Sequence, residues 1–207
     1  ATTSLPIGAG FGVSGALTLG TALAANAGFD CGKSENELIT MAHCAEVEAG
    51  TGLGDVVAQA RGGLPIRIDA GSPSHGRLDG VAARPRIEYV TFGERSTEDV
   101  LAGDTESLSR AGESALSRLL EWPTLDRFMT TSREFATDAD LLTDKVADAI
   151  DAVNDAGGDA AMAMLGNTVF AVGDRALGGR LQTGAMPSRR WGGAASPRGV
   201  STPTRDR

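Results

Sequence analysis

The chain has 207 residues, room for one large domain or two small ones, and carries 27 acidic against 19 basic side chains for a formal net charge of −8. No apolar run approaches membrane-spanning length, and so acidic a chain argues against nucleic acid, whose phosphates demand basic stripes. The two cysteines, Cys31 and Cys44, fit a reduced cytoplasmic protein better than a disulfide scaffold, and with His43 they lack the paired spacing of a metal site.

The first predicted element is a glycine-dense loop, Leu5-Pro6-Ile7-Gly8-Ala9-Gly10-Phe11-Gly12-Val13-Ser14-Gly15-Ala16, which runs into an apolar, alanine-rich helix. Its glycines let main-chain N–H groups curl around an anion where a Cβ would clash. The helix adds unpaired N–H groups and the positive end of its dipole, a build suited to phosphate. Ser14 stands at the helix mouth, where a hydroxyl would cap the backbone or reach a metal bound to the phosphates. The alternative is a buried glycine-rich helix start with no ligand. Gly10 to Gly15 formally satisfies the dinucleotide fingerprint, but only a short, proline-broken stretch precedes it and Asp30 opens a turn. No Lys-Ser or Lys-Thr closes the loop as in a Walker-type site, and no V-A-I-K or H-R-D segment accompanies it.

Ser14 to Asn26 is apolar almost all round, which predicts a buried helix ended by Gly28. Ser34-Glu35-Asn36-Glu37 is a capping box opening a second helix that runs to about Ala49. After a turn at Gly50–Gly54, extended segments are expected at Val56–Gln59 and Leu64–Ile68, around Gly62-Gly63. Pro73, Pro85 and the glycines between them mark a linker near residues 70–86. A strand at Ile87–Phe92 opens a second region. Helices follow at Glu98–Ala102, Glu106–Leu120, Leu125–Phe135 and Thr143–Ala156, where apolar residues such as Leu108, Ala111, Ala115 and Leu119 recur at three and four. Ala160–Leu165 and Thr168–Val172 flank Gly166-Asn167 and return to the sheet. The elements do not alternate, so the class is α+β.

From Arg175 the chain turns rich in Gly, Arg, Pro and Ser, with Asp206 its one acid. It reads as a disordered basic tail. An RNA- or membrane-touching arm is one alternative, and residues from a lost coding frame, favoured here, are another.

A second constellation is Ala45-Glu46-Val47-Glu48-Ala49-Gly50-Thr51-Gly52-Leu53-Gly54-Asp55-Val56-Val57-Ala58-Gln59. Phosphoryl transfer needs a phosphate cradle, a magnesium ion with a carboxylate holding it, and a group that orients or deprotonates the attacking hydroxyl. The loop, Ser14, a glutamate and Asp55 would supply that complement. Alternatively, Glu46 and Glu48 belong to a solvated helix face and Asp55 caps a turn.

Pro6-x-Gly8-x-Gly10-Phe11-Gly12-x-Ser14-Gly15-Ala16 resembles the second motif of the GHMP kinase superfamily. The wording of Leu5–Gly12 and Gly50–Gln59 is similar to the archaeal pantoate-phosphorylating family within it, and Ala163–Ala171 resembles the third, C-terminal glycine motif. The resemblance covers roughly residues 4 to 174. It implies a GHMP-kinase-like two-domain α+β fold, incomplete at its N-terminus. Residues 1–84 would be the remainder of the ATP-binding N-terminal domain, 85–174 a ferredoxin-like α+β C-terminal domain, and 175–207 a disordered or aberrant tail.

The resemblance also implies a reaction: transfer of phosphate from ATP to the hydroxyl of pantoate, giving 4-phosphopantoate on the archaeal route to coenzyme A. Homoserine, shikimate or mevalonate as acceptor, or a catalytically silent nucleotide-binding fragment, are the alternatives. Gly8, Ala9, Gly10, Phe11, Gly12, Val13, Ser14 and Gly15 would wrap the ATP phosphates. Ser14 and a glutamate, Glu46 first and Glu48 second, would hold Mg2+, and Asp55 takes the place of the catalytic aspartate. Gly166 and Asn167 would line the site from the other domain. Arg61, Arg67 and Arg133 are unranked candidates for the pantoate carboxylate. The partners implied are small molecules, with no nucleic acid and no membrane, and a homodimer is allowed for. Lys33 and Lys145 are the only lysines, and acid-rich, lysine-poor surfaces of this kind resemble those of salt-loving archaea.

Overall fold

The computed structural model describes residues 2–95 and 105–172. Helix α1, Val13–Phe29, starts from Gly12 and stops at Asp30, which adopts the left-handed conformation at φ 49°. It therefore runs past Gly28, whose Cα has open space around it and gives the helix no reason to end. Nor is α1 buried all round. Only Val13, Gly15 and Leu19 are covered, while Leu17 and Leu23 face outward. Alanine propensity holds the helix where packing does not.

The capping box of α2, Glu35–Glu48, forms in both directions: the Ser34 hydroxyl accepts from Glu37 N–H at 3.3 Å, and the Glu37 carboxylate accepts from Ser34 N–H at 2.9 Å. Those bonds, with Lys33 at 2.9 Å, hold the Glu37 carboxyl down at about 2.

Residues 56–59, expected to be extended, lie instead in a short helix, α3, Asp55–Arg61. The Val-Val pair that suggested a strand is buried between helices, against Leu19 of α1 and Ile39 and Ala42 of α2. Tertiary burial overrides the β preference of two branched side chains.

Strand β1, Leu64–Asp69, pairs antiparallel with β2, Arg77–Val81, in the register Leu64↔Val81 and Ile66↔Asp79. The expected linker at 70–86 thus contains a strand. Arg-Leu-Asp-Gly-Val has no marked alternation, and its extended form comes from the partner strand. The hairpin core, Ile66 and Val81, packs on Leu116, Leu119 and Phe128. These last belong to α4, Thr105–Glu121, and α5, Leu125–Asp138. Packing therefore crosses the boundary drawn at residue 84.

The remaining elements are β3, Ile87–Thr91, α6, Asp144–Asp155, β4, Asp159–Met162, and β5, Thr168–Val172. The strands form an antiparallel sheet in the order β3-β5-β4. On one face Ala160, Met162, Val169 and Ala171 meet Val146, Ile150 and Val153 of α6. On the other, Ala161 and Val172 meet Met129 of α5. Both faces are covered, which explains the nearly unbroken apolar run of β5. The expected helix at Glu98–Ala102 and the tail from Arg175 lie outside the described residues. Among the described residues no helix is long and apolar enough to cross a membrane.

Candidate active site

The glycine loop is left-handed at alternate positions, with φ 74° at Gly8, 84° at Gly10 and 62° at Gly12, a shape side-chain-bearing residues rarely adopt. Among the described residues no hydrogen bond uses the main-chain N–H of residues 8–12, so these donors remain free for a ligand. The carbonyls are anchored instead. Gly8 accepts from Arg95 N–H at 2.9 Å, and Gly12 from the Gln59 side chain at 2.7 Å. The β4–β5 turn presses on the loop from the other side. A Cβ on Gly166 would stand 2.2 Å from the Ala9 carbonyl oxygen and 2.5 Å from Gly10 N. Only glycine admits that approach.

Beneath the loop, Ser14 on the first turn of α1 donates to Glu46 Oε1 at 2.9 Å. Thr18, one turn further on, lies 2.5 Å from the same oxygen, and Thr51 donates to Oε2 at 3.1 Å. Glu46 is 5% exposed and is the buried glutamate of α2, whereas Glu48 points to solvent. A buried carboxylate with three hydroxyl neighbours is well satisfied.

Asp55 opens α3 beside the loop. A Cβ on Gly12 would lie 3.1 Å from Asp55 Cβ, and one on Gly15 3.2 Å from it, so the start of α1 and the start of α3 almost touch. Gly52 separates the two carboxylates, its missing Cβ being 3.0 Å from Glu46 Oε2 and 3.7 Å from Asp55 Oδ2. Asp55 keeps one side open to solvent while protein crowds the other. Burial there, and then the Glu46 charge, push its carboxyl above the usual range, and Arg67 opposes them.

Arg67 reaches this cluster from β1. Its guanidinium crosses Gly54, donating to Leu53 O at 2.8 Å and to Gly71 O at 3.4 Å, and its buried Nε has no partner among the described residues. Burial lowers its affinity for its proton and Asp55 raises it. His43, on the buried stripe of α2, has an unpartnered Nδ1, and burial followed by the Arg67 charge pushes its pKa down.

The structure thus brings Gly8–Gly15, Glu46, Asp55, Gly166 and Arg67 together. Asn167 turns away: its side chain accepts from Thr143 at 3.3 Å and its carbonyl from Phe92 N–H at 2.7 Å. Arg133 is engaged by the Asp159 carboxylate and by Ala160 O at 3.0 Å, tying α5 to the start of β4. Arg61 lies over Gly80 and opens on a separate cleft of about 540 Å³ shared with Arg84. Thr18 and His43 lie outside the motifs read from the sequence, whereas Thr51 and Gln59 lie inside the second constellation, where no role was given to them. Thr18 stands four residues after Ser14 and Gln59 four after Asp55, the spacing that places two side chains on one helix face.

The donor set suits magnesium. Among the described residues no three His, Cys, Asp or Glu side chains converge. One carboxylate with hydroxyls fits an ion that takes its other ligands from water and phosphate.

A glycine loop over a helix start, a carboxylate–serine pair beneath it and an aspartate beside it thus lie together on an α+β frame. The GHMP kinases N terminal domain family matches residues 1–63. That match places a GHMP kinase N-terminal domain in the segment 1–63. The chain's similarity is to pantoate kinases: that of Methanocaldococcus jannaschii is 34% identical over 169 residues, covering 81% of this chain and 61% of that protein. The pantoate kinase of Thermococcus kodakarensis is 37% identical over 172 residues, covering 81% and 56%. That of Methanospirillum hungatei is 36% identical over 172 residues, covering 83% and 58%. A solved structure described as a phosphotransferase related to the CoA biosynthesis pathway superposes with a TM-score of 0.73 at 33% identity, covering 82% of this chain and 56% of its own. The chain spans about three fifths of the length of the curated relatives it matches.

Proposed function

We propose that this chain carries the catalytic part of an ATP-dependent kinase that phosphorylates the free hydroxyl of pantoate. The observation that carries the proposal is the contact of Asp55 with the glycine loop at Gly12, beside the Ser14–Glu46 pair. The free N–H groups of residues 8–12 and the start of α1 bind the polyphosphate of ATP. Glu46 and Ser14 would hold Mg2+, which would neutralise phosphate charge when bound.

Asp55 accepts the proton of the acceptor hydroxyl as its oxygen bonds to the γ-phosphorus and the bond to ADP breaks. Burial and the Glu46 charge raise its proton affinity, which suits it to that role, and Arg67 beside it opposes the rise. Of the three arginines, Arg67 is the one whose charge acts on Asp55, which makes it our choice for the pantoate carboxylate. Pantoate, ATP and Mg2+ are thus the proposed substrates and ion.

The test is ADP release measured with a panel of hydroxy acids. Turnover should appear with pantoate and not with homoserine, shikimate or mevalonate. Activity on homoserine without activity on pantoate would overturn the choice of acceptor.

A further inference from the structure

Among the described residues no hydrogen bond uses the N–H groups of residues 8–12, and three of these five residues are left-handed. Such a loop does not hold itself in shape; its conformation is imposed by what it touches. Two of those contacts are backbone or buried-turn contacts, the Arg95 N–H on Gly8 and the Gly166 turn against Ala9 and Gly10. A third, from Gln59, arises on α3, next to Asp55. The fourth is different in kind. The Phe11 ring, at the crest of the loop, meets the ring of Tyr89 edge to face, with centroids 4.7 Å apart and planes at 71°.

Tyr89 is the central residue of β3, paired with Phe170 of β5, and is locked in register on a sheet whose two faces are covered. The same strand leads directly to Arg95. The strand and the short stretch after it therefore touch the loop at Phe11 and at Gly8, on either side of the left-handed Gly10. Nothing in the phosphate chemistry itself uses Phe11 or Tyr89: the loop contributes its backbone there.

We infer that Tyr89 is a positioning residue which, through Phe11, sets the glycine loop in its phosphate-binding shape and couples nucleotide grip to the β3-β5-β4 sheet. This rests on the reading of the loop as a phosphate cradle. An edge-to-face pair of this kind corresponds to a change of roughly three- to ten-fold in an equilibrium constant. The ring edge matters and the hydroxyl does not, so Tyr89→Phe retains the effect and Tyr89→Leu loses it.

The experiment is calorimetric titration of MgATP into the whole chain and into Tyr89→Leu, Tyr89→Phe, Phe11→Leu and the Tyr89→Leu/Phe11→Leu double variant. Tyr89→Leu and Phe11→Leu should each weaken binding by about three- to ten-fold, Tyr89→Phe by less than about two-fold, and the double variant no more than either single one. Tyr89 is the only tyrosine of the chain, so 3-fluorotyrosine labelling gives one fluorine resonance, which MgATP should shift in the parent and not in Phe11→Leu. Should Tyr89→Leu not fold, Phe11→Leu carries the test, because it leaves β3 intact. Parent-like affinity in Phe11→Leu, or additive losses in the double variant, would overturn the coupling while leaving the phosphate reading in place. No MgATP binding by the parent chain would overturn the phosphate reading, and this inference with it.

Discussion

Replacing Gly166 by alanine tests the closeness of the β4–β5 turn to the glycine loop. The added Cβ would stand 2.2 Å from the Ala9 oxygen, 2.3 Å from its carbonyl carbon and 2.5 Å from Gly10 N. All three are backbone atoms, and no rotamer change relieves the overlap. Ala9 is 1% exposed, and Gly8 is tied to Arg95, so the loop cannot retreat without breaking its anchor. Overpacking of this kind costs about 1–3 kcal/mol, which for a domain of this size lowers the melting temperature by roughly 2–12 °C. The loop is the element forced to move, so MgATP affinity should fall together with stability. Gly28→Ala is the control: a Cβ there meets nothing within 4 Å, and the helical propensity of alanine should leave the melt equal or higher. Thermal melts of the three proteins by circular dichroism, with and without MgATP, decide it. If Gly166→Ala melts and binds nucleotide as the parent does, the packing of turn on loop is wrong.

The two glutamates of α2 should separate sharply. Glu46→Gln replaces a buried acceptor of hydroxyl hydrogen bonds and should cost about 1–3 kcal/mol by urea unfolding, whereas exposed Glu48→Gln should stay within about 0.5 kcal/mol. Equal effects would contradict the assignment of Glu46 as the inward residue. The pH dependence of stability should carry the signature of Asp55. Its folded pKa lies above the unfolded value of 3.8, so the folded state holds that proton longer, and stability is lost as pH rises through this window. Asp55→Asn, neutral throughout, should therefore melt higher than the parent near pH 7, and the advantage should shrink toward pH 4. An advantage that instead grows on acidification would show that Asp55 is stabilised as a carboxylate in the fold.

What the sequence made legible was local. The capping box at Ser34–Glu37 closes within four residues and needs no tertiary partner, and the loop glycines announce a backbone that side chains forbid. The Val56-Val57 helix and the β2 strand were hidden because each depends on something distant, the α1–α2 groove in one case and β1 in the other. The choice of Glu46 over Glu48 was present as periodicity: Leu38, Ile39, Ala42, His43 and Glu46 form the buried stripe of α2, and a residue two further on falls off it. That stripe also marks His43. Ranking Arg67 above Arg61 and Arg133 was out of reach of spacing alone, since it turns on a guanidinium crossing Gly54 from another strand. Gln59 and Thr51 were equally silent, polar residues whose role appears only once α3 and the turn before it lie against the loop and Glu46.

The most direct test of the account is the turnover of Asp55→Asn with saturating pantoate and MgATP, measured beside its affinity for MgATP. The account predicts turnover lower by about 100-fold or more, with nucleotide affinity within about two-fold of the parent, because the loop and Ser14–Glu46 remain as they were. An unaltered rate would contradict it and would leave Asp55 as no more than the first residue of a short helix.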